Sequence, residues 1–352
     1  YNLDSFLMND EQILRSFLHR ADGMDLSLIE GNRGLYDGLD LEGCCSTAEL
    51  GRLLKASVLI IVDVSMTSRT IAAVIKGCQA FDPGLDIAGV ILNRVANRRQ
   101  ESLITGAIEK YCGIPVIGAV PKLKENIFPE RHMGLVPYQE RHRAQKAISW
   151  AKETVRKNLQ LDQIWEIAHG VGPMETVSED MTLESIVIAK HRSPRIGFIR
   201  DRAFWFYYPE NMEQLEQMGA VLVQLNAISD KELPPLDALY IGGGFPETQA
   251  QALAENQTFR ESLREAIEEG LPVYAECGGF MYLCRDITGM ESDKQFPMTG
   301  CFPFSSTMSK RLRSLGYREI TLNADTLVGN KGDVLRGHEF HYSSLEDDTP
   351  GG

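Results

Sequence analysis

Cys277 sits in Leu271-Pro-Val-Tyr-Ala-Glu-Cys-Gly-Gly-Phe280, where an apolar run passes directly into a thiol, two glycines and a second apolar stretch. A side chain at the tip of such a strand-to-helix turn stands above the sheet, and the backbone N–H groups after it face any oxyanion that forms. A thiol there points to acyl transfer. Ala238-Leu-Tyr-Ile-Gly-Gly-Gly-Phe-Pro-Glu247 ends another apolar run in three glycines, which let the backbone approach a ligand and present bare N–H donors. Arg336-Gly-His-Glu-Phe-His-Tyr-Ser343 supplies imidazoles, and a nearby imidazole converts a thiol into a thiolate. On a strand His338 and His341 point to opposite faces, so one of them is a base and the pair is not a chelate. Cys284 and Cys301 lack flanking glycines of this kind and read as small buried hydrophobes.

The first half of the chain carries carboxylates in a different setting. Asp25-Leu-Ser-Leu-Ile-Glu-Gly-Asn-Arg-Gly-Leu-Tyr-Asp-Gly38 reads as a strand ending at Glu30, then a glycine-studded loop with Asp37. Asp63 ends Ser-Val-Leu-Ile-Ile-Val-Asp, and Asn93 follows Gly-Val-Ile-Leu in the same topological place. Hard oxygen ligands at the carboxyl edge of an open α/β sheet suit Mg²⁺ and phosphates. Singly, each residue is an ordinary turn or cap; the repetition at successive strand ends is the signal.

These residues need elements to hold them. Leu26–Glu30, Val58–Val64, Ile87–Asn93 and Ile114–Val120 are short, continuous and β-branched, as in strands buried on both faces. Helical periodicity fills 48–56, 70–80 and 99–111, and a polar helical stretch covers 138–167. The alternation predicts a parallel sheet in an α/β domain over 1–170. Residues 171–193 are rich in turn formers and acids, with only Ile186–Ile188 strongly apolar, and read as a linker. A second α/β domain is expected over 194–352, with strands at 196–199, 221–225, 238–241 and 273–275, helices at 210–218 and 248–269, and a helix from Gly279.

Composition narrows the class. The chain has 352 residues, 43% hydrophobic and 24% charged, enough for two cores. A net charge of −13 is a poor match to a nucleic-acid backbone, so no nucleic-acid partner is expected. No apolar run approaches the roughly 20 residues that cross a bilayer, which predicts no membrane partner and a cytoplasmic protein. Seven cysteines without a Cys-x-x-Cys spacing suggest neither a disulfide framework nor a zinc site.

The three C-terminal motifs resemble the class I glutamine amidotransferase half of the cobyrinic acid a,c-diamide synthases. By motif position the resemblance makes Cys277 the nucleophile, His341 its activating base, and Gly244 and Gly278 the oxyanion positions, with His338 unassigned. Other class I glutaminases carry Glu two residues after this His; here that position is Ser343, and no orienter of His341 is identified. Asn2-Leu-Asp-Ser-Phe-Leu-Met8, Glu30-Gly-Asn-Arg-Gly-Leu-Tyr-Asp-Gly38 and Gly134-Leu-Val-Pro137 extend the resemblance over nearly the whole chain. The first domain is then similar to dethiobiotin synthetase, a P-loop fold that uses ATP to phosphorylate a carboxylate. The resemblance implies Mg²⁺ at Glu30 and Asp63, ATP or substrate contacts at Asp37 and Asn93, and ATP, glutamine and a tetrapyrrole polycarboxylate as substrates.

No Gly-x-x-x-x-Gly-Lys-Ser/Thr loop occurs in the chain, so it is read as a fragment beginning after that loop, its C-terminus also open to truncation. The expected reaction is ATP- and glutamine-dependent amidation of the a and c carboxylates of cobyrinate in cobalamin biosynthesis. Cobyrinate and hydrogenobyrinate remain alternative substrates, and a homodimer is compatible with the chain. Rival readings are amidation of nickel sirohydrochlorin, and a non-enzymatic binding module derived from a P-loop fold.

Overall fold

The computed structural model describes residues 1–123, 141–172, 174, 193–289 and 294–346, residues 141–144 by backbone alone. Gly134–Pro137, Ile186–Ile188 and most of the expected linker 171–193 lie outside the described residues. The chain divides into two compact units, one of Leu3–Ser178 and one whose continuous part is Glu179–Gly352. Both are α/β with parallel sheets.

The first unit opens with α1 (Asp10–Ala21), which Asn9 and Gln12 start with a reciprocal capping box, and α2 (Thr47–Leu53), capped by Ser46. A parallel sheet follows: β1 (Val58–Asp63), β2 (Ile87–Val95) and β3 (Val116–Pro121), with β2 central. Helices α3 (Thr70–Phe81) and α4 (Arg98–Cys112) are the crossovers, and α5 (Arg141–Asn158) and α6 (Leu161–His169) follow. Ile71, Ile75, Val90, Leu92, Ile104 and Ile108 form the core between sheet and crossover helices. Burial on both faces, expected of every strand, holds for β2; β1 is an edge and leaves Ile61 66% exposed.

One element differs from the sequence expectation. Residues 26–30 form no strand, and Leu28 is 87% exposed. A strand needs a ladder partner for its N–H and C=O groups, and among the described residues none pairs with this segment. Glu30 therefore lies on an exposed loop and not at a strand end.

The second unit builds β4 (Arg195–Ile199), β5 (Phe204–Phe206), α7 (Pro209–Gln217), β6 (Val221–Leu225), β7 (Ala238–Ile241) and the two-residue β8 (Gly243–Gly244). The expected helix 248–269 is broken: a 3₁₀ turn at Pro246–Gln249 leads to α8 (Ala250–Glu255) and, past Asn256, α9 (Gln257–Glu268). The Asn256 side chain donates to the carbonyls of Ala227 (2.9 Å) and Asp230 (2.7 Å), the side-chain-to-backbone bonding by which Asn interrupts helices. Then come β9 (Val273–Ala275) and α10 (Gly278–Leu283). The main sheet is parallel in the order β6-β4-β7-β9.

Beyond α10 the chain turns to β structure: β10 (Asp286–Thr288), β11 (Gln295–Pro297), β12 (Ser305–Met308), β13 (Ser314–Thr321), β14 (Val334–His341) and β15 (Ser343–Glu346). Strands β11-β10-β12-β15 form a mixed sheet, and β13 pairs with β14 as an antiparallel ribbon, Ser314 opposite His341. Among the described residues no helix is long and apolar enough to cross a membrane.

Candidate active site

Strand β9 delivers Cys277. Tyr274 and Ala275 pair with Tyr240 and Ile241 of β7, and the Glu276 N–H donates to the Ile241 carbonyl at 2.9 Å, extending the ladder one residue further. The chain then reverses at Cys277, with φ 47° and ψ −108°, and α10 starts at Gly278. A side chain at positive φ costs of order 1–3 kcal/mol and persists where surrounding structure imposes it. Here the imposing contacts are the Ile241 ladder before the turn and the bonds Gly279 N–H to Glu276 carbonyl (2.7 Å) and Met281 N–H to Cys277 carbonyl (3.1 Å) after it. Cys277 is exposed at the tip, whereas Cys284 is buried and Cys301 packs against the core, as their sequence contexts suggest.

The glycines have a steric reason beyond presenting N–H groups. A Cβ on Gly279 would lie 2.3 Å from the Ile241 carbonyl oxygen, and one on Gly244 would lie 2.0 Å from that of Ala203. A Cβ on Gly278 would meet Pro246 Cδ at 2.8 Å and the Gly244 nitrogen at 3.1 Å, while one on Gly243 would stand 3.6 Å from Cys277 Cβ. The two backbone segments are therefore in contact beside the thiol, and the Gly244 and Gly278 amides belong to one small wall.

Electrostatics at the thiol oppose ionisation. Although Cys277 is open to solvent at the tip of the turn, the protein packed around its sulfur partly desolvates it and pushes its pKa up, the Gly278 N–H lowers it, and the Glu247 and Glu276 carboxylates raise it further. Tyr240 donates to Glu276 Oε1 at 3.3 Å. Glu247, in the 3₁₀ turn directly after Gly-Gly-Gly-Phe-Pro, is pushed up to about 7 by burial. This Glu stands within the Gly-Gly-Gly-Phe-Pro-Glu motif, where the sequence gives it no role; its half-buried place beside the thiol is visible only in three dimensions.

His341 closes β14. Its Nδ1 is 2.8 Å from the Ser343 carbonyl oxygen and its Nε2 is 2.8 Å from Glu339 Oε1. The carbonyl can only accept, and Glu339, whose carboxyl bonds to Ser314, His341 and Arg318 bring down to about 2, is an ionised acceptor. Both ring nitrogens thus face acceptors. Arg318 Nε holds the other oxygen of Glu339 at 2.7 Å. Glu339 comes two residues before the His, on the same strand face, where other class I glutaminases carry Glu two residues after it. No hydrogen bond joins His341 to Cys277, so the expected thiol–imidazole contact is not made in this arrangement. His338 stacks edge-on to Tyr317 at 5.3 Å, on the opposite face.

In the first unit Asp63, the last residue of β1, is the register partner of Asn93, which lies two residues inside the end of β2, so that strand runs past the end expected at Asn93, and Val64 N–H donates to the Asn93 carbonyl at 2.9 Å. Ser65, by its hydroxyl and its N–H, and then Arg94 hold the Asp63 carboxyl below its usual range; the N–H is 2.8 Å from Oδ1 and Arg94 Nη1 is 3.1 Å from Oδ2. Asp37 Oδ2 accepts the Gly34 N–H at 3.0 Å, closing a tight turn. Glu30 is exposed on the loop before that turn. The edge thus brings Asp63 beside Asn93. Among the described residues, the one group of three His, Cys, Asp or Glu side chains with ligand atoms within 4.8 Å of one another is Cys44, Cys45 and Glu49.

Comparison with known proteins places these sites in context. Residues 195–350 match the family described as CobB/CobQ-like glutamine amidotransferase domain, and residues 6–129 match the AAA domain family. The chain is 40% identical over 347 residues to a cobyrinate a,c-diamide synthase of Listeria innocua, covering 98% of this chain and 75% of the relative. It is 38% identical to the enzyme of that name from Caldanaerobacter subterraneus, covering 98% and 75%. Against the one from Archaeoglobus fulgidus the identity is 39%, covering 97% of this chain and 73% of the relative.

Proposed function

Because the chain belongs to the cobyrinate a,c-diamide synthase family, we propose that it hydrolyses glutamine at Cys277 and transfers the ammonia to the a and c carboxylates of cobyrinate at the expense of ATP. The observation that carries the reading is the elbow: a thiol held at φ 47° on a strand-to-helix turn, with Gly278 packed so closely on Gly244 that a Cβ there would stand 3.1 Å from the Gly244 nitrogen. Cys277 Sγ attacks the δ-carbonyl carbon of glutamine. The C=O electron pair moves to oxygen, and the Gly244 and Gly278 N–H groups stabilise the oxyanion. Collapse expels ammonia, the leaving nitrogen taking the proton that His341 removed from the thiol, and leaves a glutamyl thioester that water cleaves to glutamate and the free thiol.

His341 supplies the proton traffic. To take the thiol proton its Nε2 must exchange Glu339 for Cys277 Sγ, while the Ser343 carbonyl keeps hold of Nδ1. Glu339 is then a positioning residue that holds the ring when glutamine is absent. Since two carboxylates raise the Cys277 pKa, thiolate formation depends on this exchange.

At the first unit, ATP phosphorylates the tetrapyrrole carboxylate and ammonia displaces phosphate from the acyl phosphate. Asp37 and Asn93 are proposed to contact nucleotide or substrate. Oxygen donors at Asp63 and Glu30 suit Mg²⁺, which keeps several waters and takes one or two carboxylates plus phosphate oxygens. When bound, it would neutralise charge on the transferring phosphoryl group. Asp63 would first have to release Arg94, which is 3.1 Å from its Oδ2.

The test is glutamine hydrolysis and amidation by the protein and by Cys277→Ala, with cobyrinate and nickel sirohydrochlorin offered side by side. The expected result is no glutaminase activity in the variant, retained amidation with free ammonia, and preference for cobyrinate. Glutaminase activity surviving in the variant overturns the nucleophile, and preference for the nickel compound overturns the substrate. A non-enzymatic module would show neither reaction.

A further inference from the structure

Outside both sites, the loop entering α2 gathers two thiols and a carboxylate. Cys44 Sγ lies 3.3 Å from Cys45 Sγ, and a Glu49 carboxylate oxygen completes a group whose three ligand atoms all fall within 4.8 Å of one another. Adjacent side chains normally diverge, on a strand to opposite faces. Here Cys45 has φ 64°, a left-handed conformation that a non-glycine residue adopts only under constraint, and this brings both sulfurs to one side. The constraint comes from the turn itself: Cys45 N–H donates to Glu49 Oε2 at 2.6 Å, Cys44 N–H to Asp40 Oδ1 at 2.9 Å, and Leu39 N–H to the Cys44 carbonyl at 2.8 Å. Cys44 is exposed and Cys45 half-buried, so an ion can enter from solvent.

We propose that Cys44, Cys45 and Glu49 form a binding site for a thiophilic divalent cation of the Zn²⁺ class, held by two thiolates and one carboxylate with the fourth position left to water. The geometry is close to what such an ion needs. Metal–sulfur bonds of about 2.3 Å at a tetrahedral angle put the sulfurs about 3.8 Å apart, an opening of about 0.5 Å from the observed pair. Soft thiolate ligands select Zn²⁺ and its heavier congener over Mg²⁺, so this site does not compete for the metal expected at Asp63. Each thiol gives its proton to water as its sulfur–metal bond forms, two protons released per ion, with no change of oxidation state.

An ion here would also brace a functional loop. A Cβ on Gly38 would lie 2.5 Å from the Cys44 carbonyl oxygen, so the turn carrying Asp37 and the turn carrying the thiols are packed backbone to backbone. Occupancy would stiffen the Asp37 turn against α2.

The experiment uses Cd²⁺ as probe on the reduced chain, in a Cys277→Ser background that removes the other exposed thiol. Bound metal is counted by equilibrium dialysis and mass spectrometry, and thiolate ligation is read from the ultraviolet sulfur-to-cadmium charge-transfer band. One equivalent with the band is expected, together with a raised Tm. Cys44→Ser and Cys45→Ser should each weaken binding about tenfold or more and lose the Tm shift, and Glu49→Gln, which keeps the acceptor for Cys45 N–H, should weaken it about tenfold while keeping the band. Far-ultraviolet circular dichroism checks that the variants fold, and Cys44→Ala repeats the test without a hydroxyl. Unchanged stoichiometric binding in the Cys44→Ser/Cys45→Ser double variant, or bound Cd²⁺ without the band, overturns the site.

Discussion

Replacing Glu247 by Gln isolates the charge beside the nucleophile. Burial raises the folded-state pKa of Glu247 from 4.5 to about 7. Between these values the folded protein holds a proton that the unfolded chain has released, so unfolding expels it and rising pH destabilises the wild type. The contribution is full below the unfolded value and is lost as pH passes through about 7. A shift of this size is worth about 3 kcal/mol at 1.36 kcal/mol per pH unit. Glutamine cannot ionise and keeps the shape of the protonated acid, so the variant should match the wild type near pH 4.5 and exceed it by up to about 3 kcal/mol above pH 7. Urea denaturation of both proteins across that range measures the difference. The alkylation rate of Cys277 gives a second readout: loss of the Glu247 charge should lower the thiol pKa and speed the reaction above pH 7. A stability difference that does not change with pH would refute the reasoning.

Gly279→Ala should cost about 3 kcal/mol or more in chemical denaturation, since its Cβ meets the Ile241 carbonyl at 2.3 Å, whereas Gly77→Ala, in mid-helix with nothing within 4 Å, should stabilise by about 0.5–1 kcal/mol. His341→Ala should lower the glutaminase rate by about 10² or more in kcat, and His338→Ala by far less; the reverse order removes His341 from the mechanism. Glu339→Gln should leave kcat at saturating glutamine within about threefold and shift the pH profile of kcat/KM, because Glu339 holds the ring in the free enzyme, and a tenfold fall in kcat would refute that role.

The parts legible in the sequence are those where local pattern and tertiary role coincide. The run Val58–Asp63 is β-branched because it is a parallel strand, and Cys277 stands between an apolar strand and two glycines because the elbow requires both. Residues 26–30 show the opposite case: the composition is strand-like, but a strand exists only with a partner. The helix break at Asn256 was hidden because one side chain bonding to two distant carbonyls overrides helical periodicity. At the candidate site, the turn at Cys277 and the close backbone approach at Gly244 and Gly278 were legible one by one. Glu247 and Glu339 could not, since their importance lies in burial and in a bond to His341. Cys44 and Cys45 have no Cys-x-x-Cys spacing, because a left-handed Cys45 replaces the spacer.

The central claim is that Cys277 is the nucleophile that opens glutamine. Incubating the protein with the electrophilic glutamine analogue 6-diazo-5-oxonorleucine and mapping the adduct by peptide mass spectrometry tests it directly. A single adduct on Cys277, protected by glutamine and slowed in His341→Ala, is the expected result. An adduct on another cysteine, or none on Cys277 while glutamine is still hydrolysed, would contradict it.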